Sequence, residues 1–212
     1  MGLREQKAQR TRAAILDVAL DLFSANGFDP TTMEQIAATS EVGIATLYRY
    51  FPTKDAILLD PVLRIHGVIA ESVAARPPEE PIAEALGHAL HEYLAEYDRE
   101  AERWSRLRDV LDKAPGPRAG LWDVLATERA LLEEAIAART DAARDELWVG
   151  IAAHTTMMIA EMSLDLRRSP VHPVPAADAA RDIIRLLAAD GAVLPRLPEG
   201  DEASPTARAV EA

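Results

Sequence analysis

Hydrophobic positions along the chain recur at i, i+3 and i+4 rather than at every second residue, the spacing of an apolar stripe on an α-helix. Ile15, Val18, Ala19, Leu22 and Phe23 form the first such stripe, with Thr11 placed to cap its start and Asn26-Gly27 to stop it. Met33, Ile36 and Ala37 give a second helix of only two turns, opened by a capping box of Thr32 with Gln35, with Pro30 just outside it. After the turn Ser40-Glu41-Val42, a third helix is expected from about Gly43 to Phe51, with Val42 and Leu47 as the two halves of a hydrophobic staple and Pro52 as the stop. Thr53 caps a fourth, from Lys54 to about Ala75, in which Asp60-Pro61 predicts a kink or two abutting pieces. Beyond a loop at 76–81, helices are expected over 81–97, 100–113, 119–139, 141–168 and 176–190; from Gly191 onward, prolines and sparse apolar residues predict a loose tail. No stretch shows the strand pattern of alternating β-branched residues. The expected fold class is all-α, with a three-helix unit at residues 1–54, a helical domain at 55–190 and a flexible tail at 191–212.

With 212 residues and 49% hydrophobic positions the chain can bury a real core. It has no cysteine, which removes disulfides, thiolate zinc sites, iron–sulfur clusters and cysteine nucleophiles together. The net charge of −12 is unevenly spread: residues 1–54 carry as many basic as acidic side chains, so the acidity belongs to residues 55–212. Arg4, Lys7, Arg10 and Arg12 against Glu5 form a basic arm that suits a phosphate backbone, or equally a solubilising tail. No apolar run approaches the ~20 residues of a membrane span, and no apolar stretch of signal-peptide kind follows the charged start, so a cytoplasmic protein without a membrane partner is expected. His88 and His91 with Glu84 and Glu92 can share a helical face, but no further ligands stand at a telling spacing. With no glycine-rich phosphate loop, G-x-S-x-G or H-E-x-x-H, no metal, cofactor, catalytic residue or enzymatic activity is expected.

Two short helices joined by a tight turn, behind a longer one, form the unit that sets its last helix in the DNA major groove. At ~100° per residue Leu47 and Phe51 face the two preceding helices, while Ile44, Ala45 and Tyr48 share the opposite face beside Arg49. Ile44 and Ala45 suit contact with a thymine methyl and Arg49 suits guanine or phosphate; Tyr48 and Tyr50 can also be read as half-buried packing residues. The run GFDPTTMEQIAATSEVGIATLYRYFPTKDAIL, residues 27–58, resembles the DNA-binding segment of the TetR family of bacterial transcription regulators. The family pattern stands here as Thr32, Ile36-Ala37 and Thr46-Leu47-Tyr48-Arg49-Tyr50-Phe51-Pro52-Thr53-Lys54, and the resemblance spans roughly residues 10–60. It implies that Thr32, Thr46, Tyr48, Tyr50 and Lys54 hold phosphates and, with Gly43, Ile44, Ala45 and Arg49, make up the DNA-contacting set. It further implies a homodimer on a palindromic double-stranded operator, most often a repressor, released when a small-molecule inducer binds the second domain. Glu41 and Gly43 depart from the family, which usually has a glycine in the turn and then a Ser or Thr cap.

The helix expected over 141–168 is apolar around most of its circumference, with one stripe of Leu147, Ile151, His154, Met158 and Met162. Such a helix can face its own core, a cavity and a partner chain at once. Candidate pocket residues are Trp104, Trp122, His154, Met157, Met158 and Met162, although a methionine stripe is also what a plain core shows. Ile183, Ile184 and Leu187 on the last helix are the candidate dimer interface, with the helix over 141–168 completing a four-helix bundle. Arg106-Leu107-Arg108 and Leu131-Leu132-Glu133-Glu134 resemble a subgroup of the family with an acyl-CoA-type ligand domain. The alternative function is a helical protein–protein or carrier module that keeps a helix-turn-helix shape without using it.

Overall fold

The structure, a computed structural model, describes residues 2–171 and 173–189. Among these residues it holds ten helices and no strand: α1 (Leu3–Asn26), α2 (Met33–Thr39), α3 (Ile44–Tyr50), α4 (Lys54–Arg64), α5 (Val68–Ala75), α6 (Ile82–Arg99), α7 (Ala101–Leu111), α8 (Pro115–Thr140), α9 (Leu147–Arg167) and α10 (Ala176–Ala188). The all-α class stands. The tail expected at 191–212 lies outside the described residues.

The start of α1 corrects the expected boundary. It begins at Leu3, so the basic arm is helical, and Thr11 Oγ1 donates to the Lys7 carbonyl at 3.0 Å instead of capping anything. Residues 5–10 are nearly all strong helix formers, and nothing there stops a helix. The second helix opens as expected: Thr32 Oγ1 accepts from the Gln35 N–H at 3.2 Å, and Gln35 Oε1 accepts from the Thr32 N–H at 2.8 Å. It closes in a Schellman motif, with the Val42 N–H donating to the Ala37 carbonyl at 3.0 Å and the Glu41 N–H to the Ala38 carbonyl at 3.3 Å. That motif puts Glu41 at φ 55, the left-handed region that costs a side-chain-bearing residue about 1–2 kcal/mol. Glu41→Gly is therefore expected to stabilise the protein by about 1 kcal/mol and raise Tm by about 2–4 °C, measurable by differential scanning fluorimetry. An unchanged Tm would show that the turn carries no strain.

A second correction concerns the fourth helix. Pro61 sits inside α4, and the interruption falls at Ile65–Gly67, where Gly67 at φ 82 caps α5. Pro61 removes one backbone hydrogen bond, but Ile57, Leu58 and Val62 bury α4 on both sides of it. The left-handed residue that a real break needs is supplied by Gly67. Asp60, expected to cap a new piece, instead pairs with Arg12 at 2.7 Å and Arg64 at 2.8 Å. Pro115 and Pro117, expected in a loop, lie in the first turn of α8, where a missing N–H is harmless. The start of α9 is set by Glu146, whose carboxylate accepts from the Ala143 N–H at 2.8 Å and Trp148 Nε1 at 2.7 Å.

Three apolar clusters hold the helices together. The first joins Ile15, Leu20, Ile36, Leu47, Phe51 and Ile57 to Leu107, Val110 and Leu111 of α7 and Leu121 of α8, so the N-terminal helices share a core with the rest of the chain. A second packs α5, α6, α8 and α9 around Val73, Leu132, Ile136 and Val149; the third packs α10 on α6 and α9 through Leu94, Ile159, Ala180 and Ile183. Contrary to the expectation from apolar runs, α9 is long enough, at 21 residues, and apolar enough, at a mean hydropathy of 1.2, to cross a membrane. Its inner face, Val149, Ala153, Met157 and Ala160, is nonetheless packed against α6, α8 and α10 as in a core helix.

Candidate nucleic-acid interface and ligand cavity

The third helix is fixed from behind and open in front. Leu47 and Phe51 are fully buried in the first cluster, while Ile44, Ala45, Tyr48 and Arg49 are exposed on the other side. Gly43 caps α3 with no side chain, so its backbone is exposed at the helix start, and Thr46 is half-buried one turn on. Thr32 is exposed at the start of α2, its hydroxyl already used in the capping box. Tyr50 is half-buried: the Arg12 guanidinium lies 5.6 Å from its ring centroid and 5.4 Å from that of Phe51, and the Arg49 guanidinium lies 5.6 Å from the Tyr50 centroid. Through its bond to Asp60, Arg12 ties α1, the end of α3 and α4 together.

Lys54 occupies a different place from the one a free phosphate contact would take. Its ammonium donates to the carbonyls of Phe28 at 2.8 Å and Asp29 at 3.0 Å and lies 4.6 Å from the Phe28 ring centroid. It clamps the loop between α1 and α2 onto the start of α4. Lys54→Ala is accordingly expected to lower Tm by about 2–4 °C, corresponding to about 1 kcal/mol for a charge-assisted pair of hydrogen bonds. A variant with wild-type Tm and a lower salt slope of DNA binding would restore the phosphate role.

Under the α4–α5 break lies a cavity of about 70 Å³, walled by Val62, Ile69, Leu121, Leu125, Met157 and Leu164 with Tyr93, Tyr97 and Trp104. Adjoining clefts of about 350 Å³ and about 290 Å³ share Ile65 and Trp104 with it. Tyr97 and Trp104 stack at 5.3 Å and 18°. The polar residues of the cavity are ones that sequence reasoning missed. Glu128, only 7% exposed, accepts from the Gly67 N–H at 2.5 Å, and its Oε2 stands 3.9 Å from His66 Nε2. Burial pushes its carboxyl above the usual range, opposed by the Gly67 N–H and by His66. Burial likewise pushes the Tyr97 hydroxyl up to about 12 and raises that of Tyr93, with the Glu128 charge adding to the latter. A signal was present: Glu128 stands in the apolar register Leu121, Leu125, Leu132 of one helix face.

Of the candidate pocket residues, the structure brings Trp104 and Met157 to this cavity. The others are corrected. Trp122 is exposed on α8, and Met158, Met162 and His154 lie on the outer face of α9 with Leu147 and Ile151, His154 Nδ1 sitting 2.8 Å from the Gly150 carbonyl. Because α9 turns Val149, Ala153, Met157 and Ala160 inward, residues one position along from Met157 are carried some 100° away. The candidate dimer residues divide as well: Ile184 and Leu187 are exposed, but Ile183 is a core residue against α6 and α9. His88 Nδ1 lies 2.8 Å from Glu80 Oε1, and among the described residues no group of three or more His, Cys, Asp or Glu is placed to hold a metal.

A three-helix unit with an exposed recognition face, joined through a shared core to an α-helical domain with its own cavity, defines a helix-turn-helix regulator. The comparisons with known proteins are specific. A family model described as bacterial regulatory proteins, tetR family, matches residues 15–60, and one described as the MftR C-terminal domain matches residues 80–188. The chain belongs to the tetR family of bacterial transcription regulators. Among curated relatives, it is 37% identical over 93 residues to the HTH-type transcriptional regulator TcmR of Streptomyces glaucescens, covering 44% of this chain and 41% of that protein. It is 34% identical over 120 residues to RutR of Escherichia coli K12, covering 54% of each chain, so it spans about half the length of the curated relatives it matches. Among solved structures, Bacillus subtilis FadR in complex with stearoyl-CoA superposes with a TM-score of 0.61 at 15% identity, covering 85% of this chain and 99% of that one. Thermus thermophilus FadR in complex with lauroyl-CoA gives 0.53 at 22%, covering 90% and 100%.

Proposed function

We propose that the protein is a cytoplasmic repressor that binds a palindromic double-stranded operator as a homodimer and leaves it when a small-molecule inducer enters the cavity under the α4–α5 break. The observation that carries this reading is the third helix: its apolar side is locked into the core shared with α4, α7 and α8, and its free side presents Ile44, Ala45, Tyr48 and Arg49. Short apolar residues beside an arginine suit base edges in the major groove, while Thr32, Gly43, Thr46 and Tyr50 flank them where phosphates run. In this reading residues 1–54 read DNA, residues 55–190 bind ligand and dimerise, and Lys54 supports the reading head from within. The dimer forms on the outer face of α9, Leu147, Ile151, His154, Met158 and Met162, with Ile184 and Leu187 of α10, since an exposed apolar stripe of this length is best covered by a second copy. The acyl-CoA molecules belong to the two FadR proteins; they supply one ligand class to test against this cavity.

Fluorescence anisotropy tests the reading directly. The duplex upstream of the protein's own gene should bind about a thousand-fold tighter than a random duplex and lose affinity steeply with salt. Arg49→Ala and Tyr48→Ala should each weaken the specific complex about tenfold, with circular dichroism unchanged. Equal affinity for both duplexes would instead favour a helical module that keeps the shape without the function.

A further inference from the structure

We propose that the cavity under the α4–α5 break takes a small aromatic amine, its ammonium on Glu128 Oε1 and its ring between Trp104 and Met157. The inference rests on the reading of this cavity as the ligand site and names the chemistry of what enters it. Glu128 is more than nine-tenths buried and spends Oε2 on the Gly67 N–H, while Oε1 has no hydrogen-bond partner. The Tyr97 hydroxyl, on the same cavity, is buried and unpartnered too. Folded proteins rarely leave such atoms unmet, and the free Oε1 of a buried carboxylate that lines an apolar cavity marks where a ligand's polar end belongs.

The sign of that end follows from the charges around it. The cavity has two ends: Arg108, which pairs with Asp165 at 3.8 Å, acts with Arg167 and Arg168 on Tyr97, while the nearest cationic candidate to Glu128 is His66, at 3.9 Å from the oxygen already in use. A carboxylate or phosphate brought to this floor would meet like charge. An ammonium brings N–H donors for Glu128 Oε1, and its charge gains from the aromatic walls, Tyr93 nearest Glu128 among them. The aromatic walls favour a flat ring over a long flexible chain. Size is bounded by the cavity of about 70 Å³ together with the adjoining clefts that share Ile65 and Trp104 with it.

The test is isothermal titration of the full chain without DNA, using phenethylamine and tryptamine beside their equal-shaped neutral and anionic counterparts, propylbenzene with hydrocinnamate and propylindole with indolepropionate, and lauroyl-CoA. Each amine is expected to bind about thirty-fold or more tightly than its counterparts, the cost of taking away a buried charge partner. Glu128→Gln, which keeps an acceptor for the Gly67 N–H, should erase that preference while leaving propylbenzene affinity unchanged. The wild-type series decides the matter even if Glu128→Gln fails to fold. Amines that bind no better than the neutral or anionic compounds, that bind only above millimolar concentration, or that keep their preference in folded Glu128→Gln overturn the proposal. Amine binding that leaves operator affinity unmoved supports the ligand class and sinks only the regulatory reading.

Discussion

Ile183→Glu is expected to unfold the C-terminal bundle instead of releasing a folded monomer. Ile183 is 7% exposed and packs with Leu90, Leu94, Ile159 and Ala180. A carboxylate there has no cation beside it in that cluster, and an uncompensated buried charge costs about 3–5 kcal/mol, which in a chain of this size lowers Tm by about 10 °C or more. Met158→Glu behaves differently. Met158 is 40% exposed on the outer face of α9, so a charge stays hydrated in the monomer and the fold should hold, while the dimer seam proposed on that face should separate. Thermal melts with sedimentation velocity distinguish the two variants. A Met158→Glu protein that stays dimeric at micromolar concentration would move the seam off α9, and an Ile183→Glu protein with wild-type Tm would contradict the packing of α10.

The plainest signals in the sequence were local. Thr32 with Gln35, the phase of Leu47 and Phe51, and the turn at Glu41 are written within a few residues of where they act, and the structure has each of them in the expected geometry. The recognition face follows from the same phase, because a seven-residue helix buried on Leu47 leaves little choice of what it exposes. The second half resisted for a physical reason. A helix such as α9 has apolar residues on nearly all sides, and which of Met157, Met158 and Met162 turns inward depends on neighbours far along the chain. Lys54 shows the same limit: its family position suggests phosphate, but the carbonyls of Phe28 and Asp29, 25 residues or more away in sequence, hold its ammonium. Glu128 was the legible exception that went unread, a carboxylate in a leucine register that marks either a buried partner or a ligand.

The coupling between cavity and reading head should respond to Gly67 and not to Pro61. Gly67 closes the break between α4 and α5 at φ 82, and its N–H is held by Glu128 on the cavity floor. On the other side of the break, α4 carries Asp60, which holds Arg12 at 2.7 Å, and the Arg12 guanidinium lies over Tyr50 and Phe51 at the end of the recognition helix. A ligand group that draws on Glu128 would therefore act on the joint to which the proposed DNA unit is attached. Gly67→Ala adds about 1–2 kcal/mol of backbone strain in the left-handed geometry. Its Cβ would meet only ordinary contacts, Leu131 Cδ1 at 3.6 Å and Glu71 Oε1 at 3.9 Å, so the effect is on the joint and not on packing. The ratio of operator affinities with and without ligand, a coupling of about 1–3 kcal/mol in allosteric proteins, should change by a comparable amount in Gly67→Ala. Pro61→Ala restores one hydrogen bond within a helix that is already continuous and should leave the ratio as it is. Arg12→Ala should bring the ratio toward one, because it cuts the link between α4 and the end of α3. Operator titrations by anisotropy, with and without saturating phenethylamine, compare the three variants. If Pro61→Ala shifts the ratio and Gly67→Ala does not, the working joint is the proline inside α4, and the Glu128–Gly67 contact serves only to hold the two helices in place.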